Sequence, residues 1–520
     1  MANSPARGTT VVRIPLKSAK HHYGATCSRG TRPYNEDTYQ AGTIELPAFA
    51  KRAPISLQRG NKSFEEATSA QGASGDPQVF YFGVFDGHGG DKCSIWLREK
   101  LHWYVEESAA KFGLESTLPR NGKKRRLVRR GSGETRDTEA SDSDKTPEGG
   151  TSETQFELAE VDSEHMEEDA GELQRNLIKQ WGETVGGYFR RFKPEYFLEE
   201  SGGQGEILYP STLRNGNKLV QEPVFSSMGE PMPRSGAPSL SSVLSYSFLR
   251  ADLDFITAHS SLDDAHNEDT ESTASAKPDS STSATSSFPP ETPSSLNSAS
   301  SQPFIGGSTC SIAFISTPSA IPFWHPTSPF TLLTTHVGDT RILLCSTATG
   351  LPIPLTATHH PSAPAESSRL RRYAAAFTTD SFGEERLEGL ANTRAFGDRQ
   401  SKRVGVSAEP QLTLLHAKPA EFAFMVLCTD GVTGVLSDQE IVDVVKEART
   451  PEQASKNVAA LAVEIAGGEK GDSDNATCLV VRMGGWERRM EGGGGSMNTK
   501  ENRTLRQERA ASVGGRAGRR

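Results

Sequence analysis

Val79–Gly90 reads VFYFGVFDGHGG, and the rest of the chain is read outward from it. Seven consecutive apolar or Gly residues, Val79 to Phe85, run straight into Asp86, Gly87, His88, Gly89 and Gly90. A short run rich in β-branched and aromatic side chains and broken by glycines predicts a strand buried on both faces. A carboxylate at the end of such a strand is held rigidly and partly stripped of water. That charge needs a compensating partner, most often a metal or a base. Gly87 and Gly89 leave room for an ion or ligand to approach the backbone. Asp-Gly alone is an ordinary turn; the five-residue run is far rarer, and the remaining chain has to decide.

The chain has 520 residues, room for roughly two to four domains on length alone. Only 34% are hydrophobic, and Ser, Gly and Pro gather in stretches that cannot bury enough surface to fold. One domain of catalytic size with disordered insertions is expected. The net charge of −9 argues against nucleic acid as the main partner, and no apolar run reaches the roughly 18 residues of a membrane span. Cys27, Cys93, Cys310, Cys345, Cys428 and Cys478 form no CxxC pair and no zinc spacing. They are expected to be buried, reduced thiols of an intracellular protein.

Residues 1–22 carry Arg7, Arg13, Lys17 and Lys20, and no acid precedes Glu36. That bias suits a mitochondrial presequence or a solvated tail. A strand at about Tyr23–Ser28 leads to Arg32, Asn35, Glu36 and Asp37, after which Thr38 begins a strand that could pair back as a hairpin. A helix is expected from about Asp91 to Lys111, with Leu97, Leu101, Tyr104 and Val105 on its core face. Low-complexity insertions are placed at about 113–172 and 200–302. The first opens with the basic cluster Lys123 to Arg130, read as a solvated loop. Leu173–Phe192 and Leu240–Ile256 read as helices beside them.

Globular sequence resumes at Phe304, with strands at Cys310–Ser316, Phe330–Val337 and Arg341–Cys345, and Asp339 at a hairpin tip. Phe422–Cys428 is a second apolar strand ending in Thr429-Asp430-Gly431, the logic of the first elbow again. Ser437 with Glu440 predicts a capping box, Pro451 opens a further helix that Gly467 and Gly468 stop, and Asp472, Asp474 and Asn475 precede the strand Thr477–Val481. Residues 484–520 are expected to be a disordered basic tail.

Glu36, Asp37, Asp86, Asp430 and Asp474 each sit at a strand end or tight turn. Brought together without a cation they would repel one another. Oxygen-rich sites of this kind suit Mg²⁺ or Mn²⁺, and two such ions about 3.5–4 Å apart can activate water for displacement at phosphorus.

Arg32-x-x-Asn35-Glu36-Asp37, Asp86 to Gly90, Gly307-Ser308-Thr309, Val337 to Arg341, Thr393 to Asp398, Cys428 to Gly431 and Asp474-Asn475 occur in an order that resembles the type 2C metal-dependent protein phosphatases. The resemblance spans about 23–112 and 303–483 and looks closest to fungal members, some of them mitochondrial. It implies an α+β fold: a four-layer αββα sandwich of two antiparallel β-sheets flanked by helices, the phosphatase domain running from 23 to 483. It implies hydrolysis of phosphoserine and phosphothreonine in phosphoprotein substrates, using two Mg²⁺ or Mn²⁺ ions. Asp86 would bridge both ions, Asp430 and Asp474 would complete the first, and Glu36 with the carbonyl of Gly87 would hold the second. Asp37 would orient the attacking water, Arg32 would take the substrate phosphate, and His88 would protonate the leaving oxygen.

Two positions depart from the family pattern. Gly434 stands where an acid usually helps Asp339 hold a third, weaker metal, so that site is expected to be weakened. Leu355-Thr356-Ala357-Thr358-His359 alters the substrate-side flap. The expectation is a monomeric protein serine/threonine phosphatase without a membrane span or nucleic-acid partner, mitochondrial or else cytoplasmic or nuclear. The alternative is a type 2C-like scaffold with little or no catalysis.

Overall fold

The computed structural model describes residues 22–51, 76–118, 125–129, 156–160, 170–191, 207–210, 225–226, 240–259, 304–371, 377–379, 385–387, 389–469, 471–491 and 496–517. Its first half contains β1 (Tyr23–Ser28), β2 (Thr38–Ile44), β3 (Val79–His88), α1 (Lys92–Lys111), β4 (Arg125–Arg129), β5 (Phe156–Glu160), α2 (Ala170–Thr184), β6 (Ile207–Pro210), β7 (Phe225–Ser226) and α3 (Leu240–Ala258). Next come β8 (Gly307–Ser316), β9 (Phe330–Val337), β10 (Arg341–Ser346), β11 (Pro352–Pro354), α4 (Pro364–Arg371), β12 (Thr378–Thr379), β13 (Glu385–Arg386), β14 (Phe396–Gly397) and α5 (Arg399–Lys402). The chain closes with β15 (Gln411–Ala417), β16 (Phe422–Cys428), α6 (Asp430–Thr433), α7 (Asp438–Glu447), α8 (Pro451–Glu469), β17 (Ala476–Arg482) and α9 (Ser496–Ala517).

The alternation in β3 sets the layers. Phe80, Phe82 and Val84 point one way, into a core shared with Ile342, Leu344, Met425, Leu427 and Leu479. Val79, Tyr81 and Phe85 point the other way, onto Leu97, Leu101 and Val105 of α1 and Leu244 and Phe248 of α3. Period-two alternation thus fills both faces of one strand. Fully burying each such aromatic contributes about 1.5–3 kcal/mol. The large sheet runs β2-β3-β8-β9-β15-β6-β7, and the small one runs β1-β17-β16-β10-β11. On the far side of the small sheet, Leu343, Phe424, Val426 and Val480 pack on Ile441, Val445, Val458 and Ile465 of α7 and α8. The result is the expected four-layer sandwich. Among the described residues the named strands pair antiparallel except for β15 with β6, which are parallel.

Several expectations need correction. β1 and β2 do not form a hairpin: β1 pairs with β17 in the small sheet and β2 with β3 in the large one. Likewise Asp339 is not at a hairpin tip, because β9 pairs with β8 and β15 while β10 pairs with β16 and β11. Both links cross between the sheets. Their turn residues suit either geometry, and the apolar faces of the strands decide which sheet each joins. Gly338 makes its crossing with φ of +106°, where a Cβ would also strike Thr309.

Regular structure also enters the insertions. β4, which includes the basic Arg125 and Arg126, pairs with β5, and α3 buries Leu244, Phe248, Leu249 and Phe255. The Ser/Thr-rich run 260–303 and the N-terminal segment 1–21 lie outside the described residues. The tail expectation fails at α9. Arg503 and Arg506, three residues apart and so on one helix face, meet Glu447 and Glu440 of α7. Gly467 and Gly468 do not stop α8. At Gly468 a Cβ would collide with Ala510, so the glycine is where α9 comes close. Cys27 is exposed, whereas the other five thiols are buried; all six are free.

One buried ion pair ties α3 to the opposite strand end. Lys402 and Asp252 are fully buried; Lys402 Nζ donates to the Ala395 carbonyl, and Asp252 Oδ1 accepts from the Gly397 amide at 2.8 Å. Lys402→Met leaves that carboxylate without its cation and is expected to cost about 3–5 kcal/mol in urea unfolding. Adding Asp252→Asn, which keeps the acceptor for Gly397 and drops the charge, should recover much of the loss. A double variant no more stable than Lys402→Met would contradict this account of the pair.

Candidate functional site

Every strand that carries a predicted site residue ends at the same edge of the sandwich. Ser28 pairs with Ala476, Cys428 with Cys478 and with Arg341, Asp86 with Thr309, and Val337 with Cys310. Strand ends, sheet crossings and the turn before β17 therefore deliver their carboxylates to one place. Asp86, Asp339 and Asp430 each present an oxygen within 4.8 Å of the other two. The Asp430 amide donates to Asp86 Oδ2 at 3.3 Å, fixing the start of α6 against the end of β3.

Burial, then repulsion from Asp430, Asp37 and Asp339, pushes the Asp86 carboxyl well above its usual range. Crowding by protein, with Asp339 and Asp474 adding repulsion, pushes Asp430 up to about 7, although its carboxylate remains open to solvent. Burial raises Asp339 as well, against the hydrogen bond it accepts from Asn392 at 2.9 Å. Three hard oxygen donors that repel one another and stay reachable fit a divalent cation such as Mg²⁺ or Mn²⁺. Asp339 was expected only at a weaker third ion; here it stands in the central cluster.

The other predicted residues line the rim. Asp37 is buried: Thr429 Oγ1 donates to its Oδ2 at 2.9 Å while Oδ1 has no donor among the described residues, and burial pushes its carboxyl up to about 6. Glu36 accepts the Gly90 amide through Oε1, and its own amide donates to Asn475 Oδ1 at 2.8 Å. Gly87 has no space for a side chain, because a Cβ would lie 2.5 Å from the Glu36 carbonyl. Asp474 falls outside the close cluster and pairs with Arg32 at 2.8 Å, both side chains nearly half exposed. The expected phosphate-binding arginine and one expected ligand thus occupy each other. Gly434, where the family places an acid, donates its amide to the Asp430 carbonyl at 2.6 Å.

His88 has a partner that the sequence reading did not assign. Its Nε2 donates to Asp398, 2.8 and 3.0 Å from the two carboxylate oxygens. Burial works against a charged ring, but the hydrogen bond to Asp398 and that carboxylate's charge prevail and raise the His88 pKa. Asp398 reaches it from a left-handed backbone, φ 48°, unusual for a residue other than Gly. A Cβ at Gly307 would lie 2.5 Å from Asp398 Oδ2, so only Gly leaves room for this carboxylate. The signal for it was Gly397-Asp398 at the end of the Thr393 motif, beside Gly306-Gly307.

That motif is braced from behind. Glu366 accepts from Arg369 at 2.8 Å, Arg394 at 2.5 Å and the Thr393 hydroxyl at 2.7 Å. Burial alone would raise Glu366, yet the two guanidiniums hold it well below the usual carboxylate range. The altered flap segment has a comparable task. Burial keeps His359 neutral, and its Nδ1 accepts the Gly338 amide at 2.9 Å, next to Asp339.

The sequence model described as Protein phosphatase 2C matches residues 250–471. Protein phosphatase 2C homolog 4 of Schizosaccharomyces pombe is 28% identical over 487 residues, 94% of this chain and 86% of that protein. The Xenopus laevis protein named Protein phosphatase 1K, mitochondrial, is 34% identical over 156 residues, 30% of this chain and 40% of its own length. A serine-threonine phosphatase 2C structure from Toxoplasma gondii has a TM-score of 0.45 and 14% identity, covering 89% of this chain and 94% of that one.

The clustered acids make metal-free stability depend on pH. A carboxyl raised in the folded state binds its proton more tightly than the unfolded chain does, where the ordinary value is about 3.9. Stability therefore rises as pH falls through about 7 for Asp430 and about 6 for Asp37, and levels off near pH 4. Chelated protein should melt higher at about pH 5.5 than at about pH 8, and Asp430→Asn should shrink the difference. A melting temperature equal or lower at the acidic value would argue that the carboxylates do not crowd.

Proposed function

Because the chain belongs to the protein phosphatase 2C family and is a protein serine/threonine phosphatase, we propose that its acidic cluster is a metal centre at which phosphoserine and phosphothreonine esters are hydrolysed. The approach of Asp86, Asp339 and Asp430 carries this reading. Asp86, Asp430 and Asp339 would hold the ions centrally, with Glu36, the Gly87 carbonyl and Asp474 at the rim. Bound there, two Mg²⁺ or Mn²⁺ ions, with a third more weakly held, would lower the pKa of water and offset the charge on the phosphoryl oxygens.

The chain's own groups divide the remaining work. The orphaned Oδ1 of Asp37 is suited to accept a hydrogen bond from the attacking water, while Thr429 keeps the other oxygen fixed. Arg32 offers a planar fork of donors for the phosphate, drawn from its pairing with Asp474. His88 acts as general acid toward the seryl or threonyl oxygen. With Nε2–H engaged by Asp398, the proton to be given up is on Nδ1. Asp398 is a positioning residue that keeps the ring charged and oriented.

The composition of residues 1–22, together with the printed name of the frog relative, supports mitochondrial import as a proposal. A reporter fused behind residues 1–22 that stays in the cytosol would remove it. None of the described helices is long and apolar enough to cross a membrane.

Asp86→Asn should lower metal-dependent turnover of a phosphothreonine peptide by about a hundredfold or more while the protein stays folded. Near-full activity would overturn the metal assignment. His88→Ala should slow the peptide by about 10²–10⁴-fold and an activated aryl phosphate far less, since a good leaving group needs no proton. Asp398→Asn should move the alkaline limb of the kcat profile to lower pH. An unmoved profile would leave Asp398 a purely structural role.

A further inference from the structure

A groove of about 450 Å³ adjoins the site and shares His88 and Asp398 with it. Phe304 and Ile305 give it an apolar wall, Ile305 standing 65% exposed, and Lys92 lies 5.7 Å over the Phe304 ring. The same groove is lined by Arg399 and Arg403, both exposed and without an ion-pair partner among the described residues. Asp398 is committed to His88. The groove therefore carries an apolar wall and an excess of unneutralised positive charge, in a chain whose net charge is −9.

This charge follows from the local fold. Asp398 starts α5, so Arg399 and Arg403, four residues apart, fall on one face, while Lys402 turns inward to Asp252. The cavity lies within the roughly 300–1,000 Å³ of ordinary ligand sites, and a peptide whose leaving oxygen meets His88 has its neighbouring residues at this groove.

We propose that the groove binds the residues flanking the phosphorylated Ser or Thr of a protein substrate, and that Arg399 and Arg403 select acidic side chains there. The inference rests on the phosphatase reading and adds a substrate class to it: phosphosites in acidic sequence. Rim pairs of exposed Arg with carboxylate are each worth about 0.2–1 kcal/mol, so two together give a preference of about tenfold that weakens with salt.

The test uses the full chain with Mn²⁺ and phosphothreonine peptides identical except that the flanking residues are Glu, Ala or Lys. Glu peptides should lead Lys peptides by about tenfold in kcat/KM, mostly through KM, with the gap closing at high salt. Arg399→Glu with Arg403→Glu should reverse the order in favour of Lys. Equal rates on all three in the natural protein, or an unchanged order in the charge-reversed variant, overturn the groove assignment while peptide hydrolysis upholds the phosphatase reading. No Mn²⁺-dependent turnover of any peptide or of p-nitrophenyl phosphate overturns that reading and the groove with it.

Discussion

Carboxylates forced together where they cannot separate are the constraint on which the rest of this structure depends. Asp86 follows the apolar run Val79–Phe85 in β3, and Asp430 lies two residues beyond the apolar β16; a buried strand cannot shift without breaking its ladder and its core contacts on both faces. Asp339 is equally fixed, because Gly338 adopts a backbone that a side chain would strain and abuts Thr309. The repulsion stored among them is relieved by protons or by a cation. The same arrangement that makes the metal-free site uncomfortable prepares it for a divalent ion.

The sandwich explains why so few residues reach the site from so many parts of the chain. Its functional edge is where the polypeptide crosses between sheets, at 29–37 and at 338–340, and where β3, β16 and β17 begin or end. Polar support then lies behind this edge. Asn475 accepts the Glu36 amide and donates to the carbonyls of Arg29 and Tyr34, while Glu366 and the Lys402–Asp252 pair hold the segment that ends in Asp398. Each is buried and matched, so it positions its neighbours at little net cost.

Much of this was legible in the sequence, for identifiable reasons. Short apolar runs ending in Asp-Gly mark buried strands that present a carboxylate, and the capping box of Ser437 with Glu440 forms as its spacing requires. Pairings across long separations were not legible. The His88–Asp398 contact joins residues 310 apart, and the motif that ends in Asp398 does not say which side chain its carboxylate meets. Sheet membership of β2 and β10 escaped because a hairpin turn and a sheet crossing use the same residues. The α9 helix escaped because Gly and Arg content suggested a solvated tail, whereas the spacing of Arg503 and Arg506 against Glu447 and Glu440 decides the matter. Arg32 and Asp474 were each read as site residues from the sequence, but their pairing with one another depends on loop geometry that spacing does not encode.

The central claim is that the carboxylate cluster is a metal centre that drives phosphate release. The most direct measurement follows phosphate release from a phosphothreonine peptide by chelated protein as Mn²⁺ is returned, with bound metal followed in the same samples by its magnetic resonance signal. The account predicts that no phosphate appears before metal binds, and that release then rises to saturation as the sites fill. A folded protein that binds Mn²⁺ fully yet releases no phosphate, or releases it equally well without metal, would contradict the account.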